Sequence, residues 1–129
     1  MTTPNPTEGE LAILRVLWSR KAPLTVREVH ETLSRSKSTA YTTVLKMLTI
    51  MADKGLVRRD DSERTHTYEP VEAEPVVQAS LLKDLMRRAF SGSALTLVQR
   101  ALDDEMASPE DLDAIAKMIA EAKAKQKKG

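Results

Sequence analysis

The chain has no cysteine, which excludes a disulfide framework, a thiolate metal site and a cysteine nucleophile. Only four glycines occur, and no phosphate-cradling glycine loop, nucleotide fingerprint or G-x-S-x-G elbow can be traced through them. Its two histidines, His30 and His66, lie far apart and fit no metal-ligand spacing; His30 is expected on a helix as a satisfied or exposed side chain. Apolar runs are only a few residues long, far short of the roughly 20 that cross a bilayer, so no membrane partner is expected. Met1 to Glu10 carries no basic region followed by an apolar stretch, the mark of a signal peptide. The expected address is the cytoplasm. No catalytic constellation remains, and neither an enzyme, a cofactor nor a metal is expected.

What is present is ordinary in bulk and uneven in detail. A length of 129 residues with 41% hydrophobic and 30% charged content suits one compact domain or two very small ones. The net charge is +1, yet between Arg35 and Arg59 the bases Arg35, Lys37, Lys46, Lys54, Arg58 and Arg59 face a single acid, Asp53. Conversely, Asp103, Asp104, Glu105, Glu110, Asp111 and Asp113 form a stretch without a base. A basic segment in a nearly neutral chain points to phosphate contact, although solvated helix faces give the same local charge. Asp103-Asp104-Glu105 is read as a solvated helix end rather than a cation site.

Helix starts are legible. Thr7 with Glu10, and Thr25 with Glu28, fit the capping box, in which side-chain and backbone donors satisfy each other. The first helix is expected over about Glu8 to Arg20, burying Leu11, Leu14, Leu17 and Trp18, and Ala22-Pro23-Leu24 breaks it. A second, about Val26 to Arg35, turns Val29 and Leu33 inward. After the polar linker Ser34 to Ser38, a third is expected over about Thr39 to Lys54, closed by Gly55 at the left-handed cap position. Leu56 to Arg59 and Thr65 to Tyr68 are strand-like, with Asp60 to Glu63 as a polar turn and Pro70 as the stop. Three helices and a hairpin match the plan of a winged helix-turn-helix, while other small α+β folds stay open.

Helical periodicity then returns. Val77, Leu81 and Leu85 align in one segment, and Leu95, Val98 and Leu102 in the next, joined by Ser91-Gly92-Ser93. Ser108-Pro109-Glu110-Asp111 opens a third with a cap, a first-turn proline and acids at the positive dipole end; Leu112, Ile115, Ala116 and Ile119 are its apolar positions. The lysine-rich end, Lys123 to Gly129, is expected to fray. The expected fold is thus mainly α with a small β-wing: a winged helix-turn-helix domain over 1–71 followed by a three-helix dimerisation domain over 72–129. Three short amphipathic helices bury little core alone, so self-association through Val77, Leu81, Leu85, Leu95, Val98, Leu112, Ile115 and Ile119 is expected, with packing back onto the first domain as the alternative.

On a helical wheel of about 100° per residue, the third helix splits in two. Met47, Ala40, Met51, Val44, Leu48, Tyr41, Ala52 and Leu45 form one arc; Thr49, Thr42, Asp53, Lys46, Thr39, Ile50, Thr43 and Lys54 form the other. Threonine is a mediocre helix former, and four on one face have a purpose if that face enters a major groove. There a hydroxyl can bond bases or phosphates and a methyl can pack on thymine. A merely tolerated Thr-rich face is the competing reading. The candidate DNA-contacting set is Thr39, Thr42, Thr43, Lys46 and Ile50 on this helix, with Arg58 from the basic segment.

The run Ala40-Tyr41-Thr42-Thr43-Val44, followed by Leu48 and Asp53-Lys54-Gly55-Leu56-Val57, resembles the penicillinase and methicillin-resistance repressor family of winged-helix regulators (BlaI/MecI/CopY type). Glu10-Leu11 through Leu17-Trp18 and Thr25-Val26-Arg27-Glu28-Val29 match the same family's opening. The resemblance covers residues 7–70 in sequence and 71–120 in layout. It implies a cytoplasmic homodimeric repressor on double-stranded operator DNA, a palindrome of TACA/TGTA type, with the third helix in the major groove and the wing near the backbone. By position it assigns Thr42, Thr43 and Lys46 to the groove and Arg64 to phosphate. It also implies control of a β-lactam-response or related operon, relieved by a sensor metallopeptidase or another protease. Three departures stand out. Ser62-Glu63-Arg64 replaces a wing that often has glycine before its arginine, Ile50 stands where a base is common, and Leu97-Val98-Gln99-Arg100 replaces the Asn-Phe bond cut in methicillin-type members. Without the carboxy-terminal cysteine pairs of copper-responsive relatives, copper sensing of that kind is excluded. The alternative function is a winged-helix module that binds protein without sequence-specific DNA binding.

Overall fold

The structure, a computed structural model, describes residues 5–128 and divides into two compact units, 1–82 and 83–129. Its first helix, α1 (Glu8–Arg20), starts in a complete capping box. The Thr7 amide donates to Glu10 Oε1 at 2.9 Å, and the Glu10 amide donates to Thr7 Oγ1 at 3.2 Å. A second capping box, Thr25 with Glu28, opens α2 (Val26–Ser34). The third helix, α3 (Tyr41–Lys54), stops at Gly55, whose φ of 85° lies in the left-handed region that a side chain resists.

Strands β2 (Val57–Asp60) and β3 (Thr67–Pro70) form the expected hairpin, but a third strand, β1 (Leu24–Thr25), joins it. The sheet is antiparallel in the order β1-β3-β2, with Tyr68 opposite both Leu24 and Arg59. Two residues carry no readable periodicity, so β1 was expected only as a helix break. The register also moves β3 two residues downstream of Thr65 to Tyr68, because Asp60 pairs with Thr67 and Val57 with Pro70. A proline at the last strand position removes no ladder bond from the strand interior.

The core of this unit lies between the three helices and one sheet face. Ile13, Leu14 and Leu17 of α1, Val29 of α2, Val44, Leu48 and Met51 of α3, and Tyr68 of β3 are almost wholly buried. Val16, Leu24, Val26, Leu56 and Val57 complete it. Leu11 is half-buried rather than buried. Trp18 packs on the core edge, and its Nε1–H donates to the Glu72 carbonyl at 3.0 Å. Among the described residues the buried polar group is Glu10, 4% exposed. It accepts two hydrogen bonds from Lys54 Nζ, at 2.9 and 3.0 Å, which tie the start of α1 to the end of α3. Burial pushes the Glu10 carboxyl up, but the Thr7 amide and the Lys54 ammonium outweigh it and hold its pKa below the ordinary glutamate value.

Three helices follow, α4 (Glu74–Ala89), α5 (Ala94–Asp103) and α6 (Pro109–Lys128). Val77 of α4 is buried within the first unit. Residues 83–127 contain no buried side chain, and Leu95 is 80% exposed. The apolar positions Leu112 and Ile119, expected to be covered, are also open in the single chain. The helix α6 continues through the lysine-rich segment expected to fray, since alanine and lysine are both good helix formers. Among the described residues no helix is long and apolar enough to cross a membrane.

Candidate nucleic-acid interface

Val44, Leu48 and Met51, fully buried, fix the rotation of α3 about its axis. Burying each is worth about 1.5–3 kcal/mol, so the opposite face is held outward. It carries Thr42, Thr43, Lys46, Thr49, Ile50 and Asp53, all exposed. The Thr49 hydroxyl donates back to the Leu45 carbonyl at 2.9 Å and is spent inside the helix. Thr42 and Thr43 stand on the first turn and Lys46 on the second, and Ile50 continues the same side at 40% exposure.

The amino end departs from expectation in two ways. Thr39 is not the first helical residue but belongs to the extended entry, and Ala40 caps α3 without a side-chain hydrogen bond. The cause is His30 of α2, whose Nε2–H donates to the Thr39 carbonyl at 2.7 Å and so holds that peptide outside the helix. The Thr39 hydroxyl donates to the Lys37 carbonyl at 3.1 Å, which leaves Thr39 half-buried and locally satisfied. Tyr41 and Leu45, on the apolar arc of the wheel, are exposed at 45% and 41%. They lie about 60° and 100° from Val44 on a wheel of 100° steps, at the arc's margin, where the core no longer reaches. The Tyr41 ring meets His30 edge-on at 5.7 Å. Tyr41 thereby joins the exposed face beside Thr42, a placement its margin position could have signalled.

The second group of bases lies on the hairpin. Arg58 projects from β2 and pairs with Glu69 directly across the ladder, at 3.4 Å. Arg59 pairs with Asp61 at 2.7 Å. Arg64 is exposed in the connection between β2 and β3. The expected DNA-contacting residues therefore gather on two patches of the first unit, with Thr42, Thr43, Lys46 and Ile50 on α3 and Arg58 and Arg64 on the hairpin. Of the expected dimerisation residues, Val77 is covered, Leu81 and Ile115 are half-buried, and Leu85, Leu95, Val98, Leu112 and Ile119 are exposed.

Three helices whose last exposes a polar face, followed through a glycine cap by an antiparallel hairpin, define a winged helix-turn-helix, a class that reads double-stranded DNA. The penicillinase repressor family model matches residues 6–121, and the chain belongs to that family. It is a transcriptional repressor of the DNA-binding winged-helix type rather than an enzyme. The chain is similar to the transcriptional regulator BlaI of Mycobacterium tuberculosis, 37% identical over 116 residues that cover 89% of this chain and 83% of that protein. Similarity to the penicillinase repressor of Bacillus licheniformis is 22% over 124 residues, covering 96% of each. In structure it resembles the solution structure of the DNA-binding domain of the repressor BlaI, with a TM-score of 0.50 and 25% identity over 57% of this chain and 88% of that one.

Proposed function

We propose that the chain acts in the cytoplasm as a homodimer that represses a β-lactam-response or related operon by binding a palindromic TACA/TGTA-type operator. The observation that carries this reading is the exposed Thr42, Thr43 and Lys46 face of α3, opposite the buried Val44, Leu48 and Met51. That face offers methyls and hydroxyls to base edges and one ammonium to phosphate or guanine. Arg64 and Arg58 on the hairpin supply backbone contacts, and Arg58 must share its charge with Glu69. The domain assignment that goes with this reading puts DNA contact in residues 1–71 and dimerisation in residues 72–129.

Dimerisation is supported by the apolar residues that α4, α5 and α6 leave open, Leu85, Leu95, Val98, Leu112 and Ile119. Two copies bound together can hold two half-sites one helical turn apart, which is how a palindrome is read. Relief of repression is assigned to a sensor metallopeptidase or another protease that removes part of the dimer interface. The test is a competition gel-shift on the intact chain at fixed salt. Preference of at least about 1,000-fold for a TACA/TGTA palindrome over scrambled DNA is expected of a specific repressor. Equal affinity for both sequences would overturn the repressor reading and leave the winged helix as a protein-binding module.

A further inference from the structure

The helix α6 is 20 residues long and none of its residues 109–127 is buried. Leu112, Ile115, Ile119 and Ala122 follow the alternating three-and-four spacing of a coiled-coil seam, which is covered by one facing helix. Leu112 and Ile119 are 43% and 48% exposed in the single chain. The charges along this helix are sorted. Glu110, Asp111 and Asp113 stand at its start, directly after Asp103, Asp104 and Glu105, whereas Lys123, Lys125, Lys127 and Lys128 stand at its end. A parallel partner of the same kind sets acids on acids and lysines on lysines. An antiparallel one brings the acidic start against the lysine-rich end, which also holds Glu121, and a two-fold axis across the helix generates that arrangement.

We propose that α6 packs antiparallel against α6 of a second copy of this chain, with the two-fold axis near Lys117. Leu112 then faces the partner's Ala122, Ile115 faces the partner's Ile119, and Asp111 flanks the seam beside the partner's Lys125. The seam pairs share one midpoint, and the Asp111–Lys125 pair is offset from it by only one residue, so a single register serves both. This inference rests on the homodimer reading and adds the orientation that reading does not specify. The sorted charges also suit the α6 dipole, but that field fades within the first and last turns.

Sedimentation equilibrium on full-length variants separates these origins. Glu110→Lys/Asp111→Lys and Lys123→Glu/Lys125→Glu should each weaken self-association on the order of tenfold. Asp111 also accepts from the Ser108 amide at 3.3 Å, so the first variant loses part of a helix cap as well. Combining all four substitutions should recover affinity to within about threefold of the unaltered chain, because opposite charges meet again at both ends. A lost cap or an inverted dipole makes the combined variant the weakest instead, and a parallel pair leaves all variants alike. Either result overturns the antiparallel α6 pairing while the dimeric repressor reading stands. A monomeric unaltered chain at micromolar concentration removes both. Because the chain has no cysteine, introduced thiols give a second measurement. A short bis-maleimide should link Asp111→Cys chains to Lys125→Cys chains. Asp111→Cys alone should not self-link, as its two copies lie about 18 Å apart in this register; efficient self-linking sinks the proposal.

Discussion

On the exposed face of α3, Thr43→Ala removes one methyl and one hydroxyl without touching the core, so its effect isolates readout from folding. We expect a loss of about 1–3 kcal/mol on the cognate operator, and less on unrelated DNA. Arg64→Ala should weaken binding to all sequences alike and lower the salt slope by roughly one unit. Competition binding at several salt concentrations checks both, and a cognate affinity unchanged in Thr43→Ala takes that residue off the reading face. His30 holds the Thr39 carbonyl and meets the edge of Tyr41 without touching Thr42, Thr43 or Lys46. His30→Ala should weaken operator binding by about 1 kcal/mol, the worth of one hydrogen bond. His30→Gln, whose amide N–H can donate to the same carbonyl, should recover part of it. If Gln and Ala behave identically, the hydrogen bond is not what positions the helix entry.

At the scale of elements, the join between α1 and α3 is electrostatic at one point. The Glu10 carboxyl, lowered in the folded state, contributes stability that is complete above its ordinary unfolded value of about 4.3. That contribution is lost as pH falls from there through the lower folded value. Glu10→Gln should cost about 1–2 kcal/mol at neutral pH, discounted because Lys54 is one-third exposed. It should also flatten the decline in stability below about pH 4.3, which thermal unfolding between pH 2 and 7 would reveal; an unchanged acid limb removes Glu10 as its source. The end of the first unit is also marked by particular contacts. Trp18 reaches Glu72, Val77 is buried, and the Ser80 hydroxyl donates to Asn5 Oδ1 at 2.7 Å. A chain ending at Leu82 keeps all three, and it should fold as a monomer that binds the full palindrome far more weakly, since the second half-site loses its tether. Dimerisation of that shortened chain, seen by light scattering, would move the interface into the first unit.

For the whole molecule, the proposed dimer makes repression the joint occupancy of two half-sites, because a single winged helix makes too few phosphate and base contacts to persist at cellular salt. Release then requires only that the copies part. The α5–α6 connection is the accessible place to cut: Met106 is 71% exposed and Glu105 holds a positive φ of 54°. A cut there removes α6 and leaves the reading helix folded. Mass spectrometry of the protein from induced cells should find a fragment ending near Glu105 to Ser108. An intact chain released from DNA after induction points to a ligand or partner instead and ends the proteolytic account.

Much of the local architecture was legible because it is decided within four residues. The capping boxes at Thr7 and Thr25, the Gly55 stop and the alternation of buried and exposed positions along α3 need no distant partner. The Thr42, Thr43 and Lys46 face was legible for the same reason, since helical spacing puts those residues opposite Val44 and Leu48. Other features depended on contacts between residues far apart in the chain. Strand β1 exists because Leu24 meets Tyr68, and Glu10 is buried because Lys54 arrives to pair with it. Thr39 is drawn out of α3 because His30 holds its carbonyl. Tyr41 is exposed because the core ends before it does. Periodicity reports which face of an element is apolar, a property of neighbours in sequence; which apolar residues are covered, and which polar ones find a partner, depends on where the chain brings its distant segments together.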